Sequence, residues 1–252
     1  MNITQRRELI ADMIEREREV STAELKKKFN VSAVTLRYDL IHLERTGVCR
    51  RLFGKVVAAD GEIGMRLNYN YEKNLDLKER IGRHAAGLIN ESESVLFYAG
   101  STTQQVARFV DPQLRFIALT NSIFIAQELS KLPNARIIFI GGLFSREIGA
   151  TYGTKTVEEI HEYNIDKLFL SVDGIDAECG ITNSSPFETD VNRALLSHAK
   201  EVIVVADSSK VGTTSFMQMG AVSDVNMLIT DSGADPGAVK ALGDAGVKVT
   251  VV

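Results

Sequence analysis

Val31-Ser32-Ala33-Val34-Thr35-Leu36-Arg37-Tyr38-Asp39-Leu40, continuing to Leu43, decides how the first sixty residues fold. Leu36, Leu40 and Leu43 recur at i, i+4 and i+7, so they share one helical face and predict the side that packs inward. The same geometry turns Val34, Thr35 and Tyr38 outward, with Arg37 on the flank and Ser32-Ala33 at the exposed start. Ser32 suits an N-cap, and the helix is predicted to run to about Arg45. Upstream, Ser21-Thr22-Ala23-Glu24 reads as a capping box that opens a second helix ending near Phe29. A first helix follows Thr4, with Leu9, Ile10, Met13 and Ile14 as its apolar stripe. Two short amphipathic helices joined by a tight turn make a helix-turn-helix. Beyond Gly47, Val48–Val57 predicts two short strands around a turn, a basic wing carrying Arg50, Arg51 and Lys55.

The N-terminal part of such a recognition helix meets base edges in the major groove. Thr35 can donate or accept a hydrogen bond, Arg37 can grip a guanine edge or a phosphate, and Ala33 or Val34 can touch a thymine methyl. The predicted DNA-contacting set is therefore Arg6, Ser32, Ala33, Val34, Thr35, Arg37, Tyr38, Arg50, Arg51 and Lys55. Charge agrees with it. Residues 1–57 carry 12 Lys/Arg against 8 Asp/Glu, whereas the rest carries 17 against 25, within a chain of net charge −4. A three-helix bundle whose charges only keep it soluble is the plainer alternative.

At 252 residues the chain suits one small and one larger domain. No run of about 18 apolar residues occurs to span a membrane. Met1–Arg7 lacks the apolar core of a secretory signal, so a cytoplasmic protein is expected. Cys49 and Cys179 stand far apart and outside any metal-ligand spacing; reduced thiols, no metal and no cofactor are expected. The expected domains are 1–57, a linker at 58–76 where periodicity dissolves, and 77–252.

The last segment alternates strand and helix. Val95–Tyr98, Phe116–Leu119, Arg136–Ile140, Lys167–Val172, Val202–Ala206, Met227–Thr230 and Val247–Val252 are short runs, most of them continuously apolar, the pattern of parallel strands buried on both faces. Helices are predicted at about Leu77–Ile89, Thr103–Val110, Ser122–Leu132, Val157–Tyr163, Val191–His198 and Pro236–Ala245. The fold class is α/β: a winged helix-turn-helix followed by a mainly parallel, doubly wound domain.

Ligands of open parallel sheets bind beyond the C-terminal strand ends. There the sequence places Tyr98 with Gly100-Ser101-Thr102-Thr103, then Thr120-Asn121-Ser122, Gly141-Gly142 with Arg146, Asp173-Gly174, and Asp207 with Lys210. Glycines, hydroxyls and helix starts suit an anion, and carboxylates suit hydroxyl groups, which predicts a cleft for a phosphorylated polyol. Helix capping and ordinary turns explain each loop taken singly.

Together these residues resemble the DeoR family of bacterial sugar-responsive transcriptional repressors, over essentially the whole chain. The likeness rests on Arg6-Arg7 through Ile14, Val31–Leu40, the wing, Gly100-Ser101-Thr102, Thr120-Asn121-Ser122 and Gly141-Gly142. Its most specific stretches are Asp166-Lys167-Leu168-Phe169-Leu170-Ser171-Val172-Asp173-Gly174-Ile175-Asp176 and Ala206-Asp207-Ser208-Ser209-Lys210, similar to the glucitol and amino-sugar operon repressors. The resemblance implies an N-terminal domain on double-stranded operator DNA. It also implies a C-terminal domain, similar in fold to ribose-5-phosphate isomerase, that binds a phosphorylated sugar as inducer. Three positions depart from the pattern: Tyr38 replaces a second arginine, Phe53-Gly54-Lys55 replaces His-Gly-Gly, and Tyr98 replaces an aspartate. The expected mechanism is a homo-oligomer that blocks transcription until the sugar binds. Its phosphate would be neutralised by the Gly100–Thr103 amides and Lys210, and its hydroxyls would be held by Glu188, Asp173 and Asp207. The rival is a sugar-phosphate isomerase or deaminase fused to a DNA-binding domain, with Asp173, Glu188, Asp207 and Lys210 as acid and base groups.

Overall fold

A computed structural model describes residues 2–58, 71, 73–146, 148–184 and 189–252. Most of the expected linker and Glu188 lie outside the described residues. The chain divides into two compact units, Met1–Lys73 with Arg146–Ile148, and Asn74–Ser145 with Gly149–Val252.

The first unit runs α1 (Ile3–Glu17), β1 (Glu19–Ser21), α2 (Thr22–Phe29), α3 (Ala33–Arg45), β2 (Cys49–Leu52) and β3 (Lys55–Ala58). The caps are those the sequence predicts: the Ser21 side chain accepts from the Glu24 amide and that of Ser32 from the Thr35 amide. Asn30 stops α2 by adopting the left-handed conformation (φ 49°), which asparagine tolerates better than most residues. Leu36, Leu40 and Leu43 are buried with Ile10, Ile14, Leu25 and Val56. Leu9 corrects the reading of α1, since it is half exposed. At 100° per residue it lies about 120° from the middle of the face made by Ile10, Ala11, Met13 and Ile14. Strand β1 escaped the sequence because three residues are too few for a periodic signal; it pairs with β3, the centre of a sheet ordered β1-β3-β2.

One carboxylate lies inside this unit. Asp39 on α3 is 1% exposed and accepts from Arg6 Nε at 2.7 Å and Arg7 Nε at 2.9 Å, tying α1 to the recognition helix. A buried carboxylate is tolerable when each oxygen meets a guanidinium, because charge-assisted hydrogen bonds then offset desolvation. Asp39→Ala removes that match while leaving the arginines a route to water. Chemical denaturation should show a loss of about 1–3 kcal/mol, less than for a pair with no solvent access; unchanged stability would mean that the two helices are held by apolar packing alone.

The second unit runs α4 (Leu75–Ala86), β4 (Ser94–Phe97), α5 (Ser101–Arg108), β5 (Ile117–Thr120), α6 (Ile123–Leu129), β6 (Arg136–Phe139), β7 (Leu143–Ser145), β8 (Ala150–Tyr152), α7 (Thr154–Ile160) and β9 (Ile165–Leu170). It continues with β10 (Gly174–Asp176), β11 (Gly180–Asn183), α8 (Thr189–His198), β12 (Ala199–Val205), β13 (Met217–Gly220), β14 (Met227–Thr230), α9 (Pro236–Asp244) and β15 (Lys248–Val251). All seven predicted strands enter one parallel sheet, ordered β15-β14-β12-β9-β4-β5-β6. Alternate residues feed opposite faces. Val95, Phe97, Phe169, Ile203 and Ile229 pack with Ile81, Val106 and Ile125 of α4–α6. Leu96, Leu168, Leu170, Val204 and Leu228 pack with Ile160, Leu195 and Leu242 of α7–α9. Burial on both faces is the physical reason that the strands read as unbroken apolar runs. Hairpin β7–β8 and the antiparallel sheet β10-β11-β13 were not predicted; each strand has only three or four residues.

At the opposite edge of the sheet from the expected ligand, Asp166 accepts from Lys200 Nζ at 2.7 Å and from the Ser94 amide and hydroxyl. These contacts hold its carboxyl at about 2. Among the described residues no helix is long and apolar enough to cross a membrane. The two thiols differ sharply: Cys49 is wholly buried, which pushes its pKa up to about 12, whereas Cys179 is exposed. A disulfide-exchange thiol reagent should therefore titrate one cysteine in the folded chain and two after denaturation, because only an accessible thiolate attacks. Two fast thiols in the native state would contradict the packing around β2.

Candidate nucleic-acid interface and effector site

The outward face of α3 carries Ser32, Ala33, Val34, Arg37 and Tyr38, all exposed, with Val34 and Tyr38 about two-thirds open to solvent. Thr35 sits deeper than expected: it is half-buried and its hydroxyl shares a 2.8 Å hydrogen bond with Ser32 Oγ. Arg6 turns inward to Asp39, its side chain only 11% exposed, so its Nε serves the fold. On the wing, Arg50 is exposed, Arg51 donates to Glu44 through both Nε and its backbone amide, and Lys55 donates to Glu19 at 2.9 Å. The Arg51 contacts, with the backbone amide foremost, hold the Glu44 carboxyl below its ordinary value. The helix and its wing are thus locked side by side, offering Arg37 and Arg50 as exposed guanidiniums.

Because every strand of the large sheet points the same way, the loops after β4, β9 and β12 converge on one edge. Gly100 passes against Ser171 so closely that a Cβ there would overlap the serine side chain. Ser171 Oγ accepts from the Thr103 amide at 3.1 Å and bonds the Thr103 hydroxyl at 2.8 Å. Thr103, predicted as a phosphate donor, has therefore spent its amide and hydroxyl on the loop after β9. Ser101 and Thr102 stand in the first turn of α5, where the helix supplies no acceptors of its own. Ser101 is half-buried and Thr102 buried.

Several predicted residues are occupied in shaping the edge of the sheet. Thr120 donates to the Phe97 carbonyl at 2.8 Å and accepts from the Ser122 amide, while Ser122 caps α6. Asn121 accepts from the Ala99 amide and donates to the Thr151 carbonyl. All three are at most 3% exposed. The Gly141 amide donates to Glu159 and its carbonyl accepts from Thr156. Gly142 adopts φ +143° with no room for a Cβ beside the Thr156 hydroxyl. Tyr98 is 2% exposed and packs in the core beneath the edge. Gly174 is crowded by Thr213 and Thr182. Arg146 is exposed and groups with the first unit rather than with the sheet.

The accessible chemistry lies elsewhere. Lys210 is about one-third exposed, its ammonium 3.7 Å from Asp173, which also accepts from the Ser184 amide and hydroxyl. Lys210 sits on a short 3₁₀ turn, Ser208–Lys210, fixed from two sides. The Asp207 carboxylate accepts from the Ser209 amide at 3.0 Å and hydroxyl at 2.5 Å, and from Asn74 Nδ2 at 3.2 Å. Asp231 accepts from the Ser208 amide at 2.6 Å and the Gly233 amide at 2.9 Å. Ser171, Ser184, Asn74 and Asp231 were missed by the sequence reading. Ser171 directly follows β9 and was findable by the strand-end rule, whereas Ser184 follows β11, a strand too short to read, and Asn74 lies 133 residues from its partner.

Residues 6–62 match the model of the DeoR-like helix-turn-helix domain, and residues 73–232 match that of the DeoR C terminal sensor domain. The chain belongs to the DeoR family. As such it is a helix-turn-helix transcriptional regulator. It is 31% identical to the HTH-type transcriptional repressor GlcR of Bacillus subtilis (strain 168), covering 88% of this chain and 86% of that one. It is likewise 31% identical to the transcriptional repressor AccR of Agrobacterium fabrum (strain C58 / ATCC 33970), covering 92% and 91%. Among solved structures it is similar to ribose 5-phosphate isomerase A of Methanocaldococcus jannaschii, at 18% identity and TM-score 0.40, covering 54% of each chain.

In this DeoR-family sensor the Gly100–Ser171 contact is testable. Gly100→Ala should lower stability by about 1–3 kcal/mol, as overpacking does. The double variant with Ser171→Gly should lose less than the two single losses summed, because Ser171→Gly relieves the overlap although it strands the Thr103 amide and hydroxyl. Thermal melts of the single and double variants check it; equal melting of Gly100→Ala and the native chain would show that the loop simply yields.

Proposed function

We propose that this DeoR-family regulator represses a carbohydrate operon and leaves its operator when a phosphorylated sugar occupies the edge beside Lys210. The observation that carries this reading is the loose Lys210–Asp173 pair, open to solvent, on the same edge of the sheet as the first turn of α5. A phosphate dianion would take the ammonium and the amides of Ser101 and Thr102, freeing Asp173 to accept from a sugar hydroxyl. Ser184 offers a further hydroxyl, while Thr120, Asn121 and Ser122 keep the edge in shape. A sensor rather than an enzyme is favoured by the histidines. His161 ends α7 and His198 ends α8, stacked 4.2 Å apart at the N-terminal edge of the sheet, far from these loops.

Release requires the sugar to bind the DNA-incompetent arrangement more tightly. Asn74 offers a route for that preference: it is the first residue of the sensor unit, reached directly from the DNA-binding unit, and its amide bonds Asp207 at the base of the Lys210 turn. Paired subunits would let two recognition helices read two half-sites, since one helix reads only a few base pairs.

The test is fluorescence anisotropy on a duplex from upstream of the chain's own gene, at fixed salt with nonspecific competitor, against a panel of free and phosphorylated sugars. Release by one phosphorylated sugar and not by its unphosphorylated form is expected. Lys210→Ala should raise the concentration needed by about tenfold or more while leaving DNA binding intact, as loss of a charge-assisted bond implies. Turnover of any sugar phosphate, or a normal response from Lys210→Ala, would contradict the reading.

A further inference from the structure

The wing ends by holding an aromatic ring in water. Phe53 is fully exposed, the most exposed large hydrophobic side chain among the described residues, and Leu52 beside it is half exposed. Isolated exposed apolar residues are ordinary on protein surfaces. This one differs in how firmly it is presented. Leu52 pairs with Lys55 across the turn, and Gly54 takes φ +73°, leaving Phe53 its ordinary negative φ. The Gly54 carbonyl accepts from both the amide of Thr22, at 3.0 Å, and its hydroxyl, at 3.1 Å. Pairing of Ser21 with Lys55 fixes the other side. The tip is thus a rigid hairpin end bonded to the start of α2, with open space around the turn.

Its surroundings are those of a polyanion surface. The Arg50 guanidinium is exposed two strand positions before Leu52, and Arg51 and Lys55 flank the turn. Phosphates reward charge and hydrogen-bond donors, neither of which a phenyl ring has. What a duplex offers an apolar ring is the sugar wall and base edges of the minor groove, where inserted apolar side chains part base steps and bend the helix.

We propose that Phe53 is a DNA-contacting residue, its ring wedged into the minor groove beside the major-groove segment met by α3, with Arg50 on the neighbouring phosphates. This continues the interface of α3 and the wing and rests on the family's DNA-binding role, not on the sensor's ligand. The wedge adds preference for steps that open easily, pyrimidine–purine steps above all, at positions no hydrogen bond reads.

Anisotropy on the upstream duplex, titrated between about 50 and 200 mM salt, separates an apolar wedge from a phosphate contact. Phe53→Ala should weaken binding by about tenfold at every salt concentration with the slope unchanged, whereas Arg50→Ala should reduce the slope by about one. Phe53→Trp keeps a ring and should bind within about twofold of the native chain, since a conservative aromatic still fills the groove. Netropsin, which occupies the minor groove, should displace the native chain more readily than Phe53→Ala. A second arm on an alternating dA-dT duplex needs no operator: the native chain should bind it more tightly than Phe53→Ala does. Phe53→Ala binding within twofold of native on both duplexes, an altered salt slope, or equal sensitivity to netropsin would each overturn the proposal. Because the ring has no internal contacts, melting of Phe53→Ala should match native; if it falls, Phe53→Trp and netropsin decide. Loss of every sugar response would leave this result untouched.

Discussion

Seven strands running one way fix nearly everything else in the larger unit. A parallel sheet must return each strand through a crossover, so helices cover both faces, and Val95–Phe97, Lys167–Leu170 and Val202–Val205 of the central strands β4, β9 and β12 are buried. The same constraint delivers all C-terminal strand ends to a single edge. There Gly100, Ser171, Asp173 and Lys210 come together from loops after β4, β9 and β12, although 110 positions of sequence separate the first from the last. Polar residues at that edge divide into those that shape it and those that remain open. Thr120, Asn121, Ser122, Asp207 and Asp231 shape it, their oxygens and amides matched by the protein itself. Lys210, Asp173 and Ser184 stay open to solvent.

In the smaller unit the corresponding constraint is ionic. The Arg6–Asp39–Arg7 contact joins α1 to α3, and the Glu44–Arg51 contact joins α3 to the wing. The helix that faces DNA is therefore held by carboxylates on its own inner and rear surfaces. This arrangement removes the negative charge of Asp39 from the outward face and leaves Arg37 and Arg50 uncompensated among the described residues. Fixing the geometry before DNA arrives lowers the ordering cost of association.

Legibility in the sequence followed burial. Strands β4, β5, β9, β12 and β14 were readable because both faces demand apolar side chains, and α3 was readable from three leucines and a capping serine. The wing hairpin β2–β3 was readable from its turn, but the other short antiparallel strands were not: three residues such as Glu19–Ser21 carry no period, and the partners of that strand lie more than thirty positions away. Polar roles were the least legible. A threonine after a strand looks the same whether it caps a helix or meets a phosphate, and only three-dimensional accounting shows that Ser171 occupies Thr103. Asp39 stood in a helix between core leucines, and nothing local revealed that its partners lie 32 and 33 residues upstream.

In the proposed function a ligand at the sheet edge weakens DNA binding at α3, and linkage makes that coupling reciprocal. The most direct measurement is calorimetric titration of the releasing sugar phosphate into the free protein and into the operator complex. Weaker sugar binding to the complex is expected, by the same factor by which the sugar weakens DNA binding. Equal affinity for the free and DNA-bound protein would contradict it, whatever the sugar does to transcription.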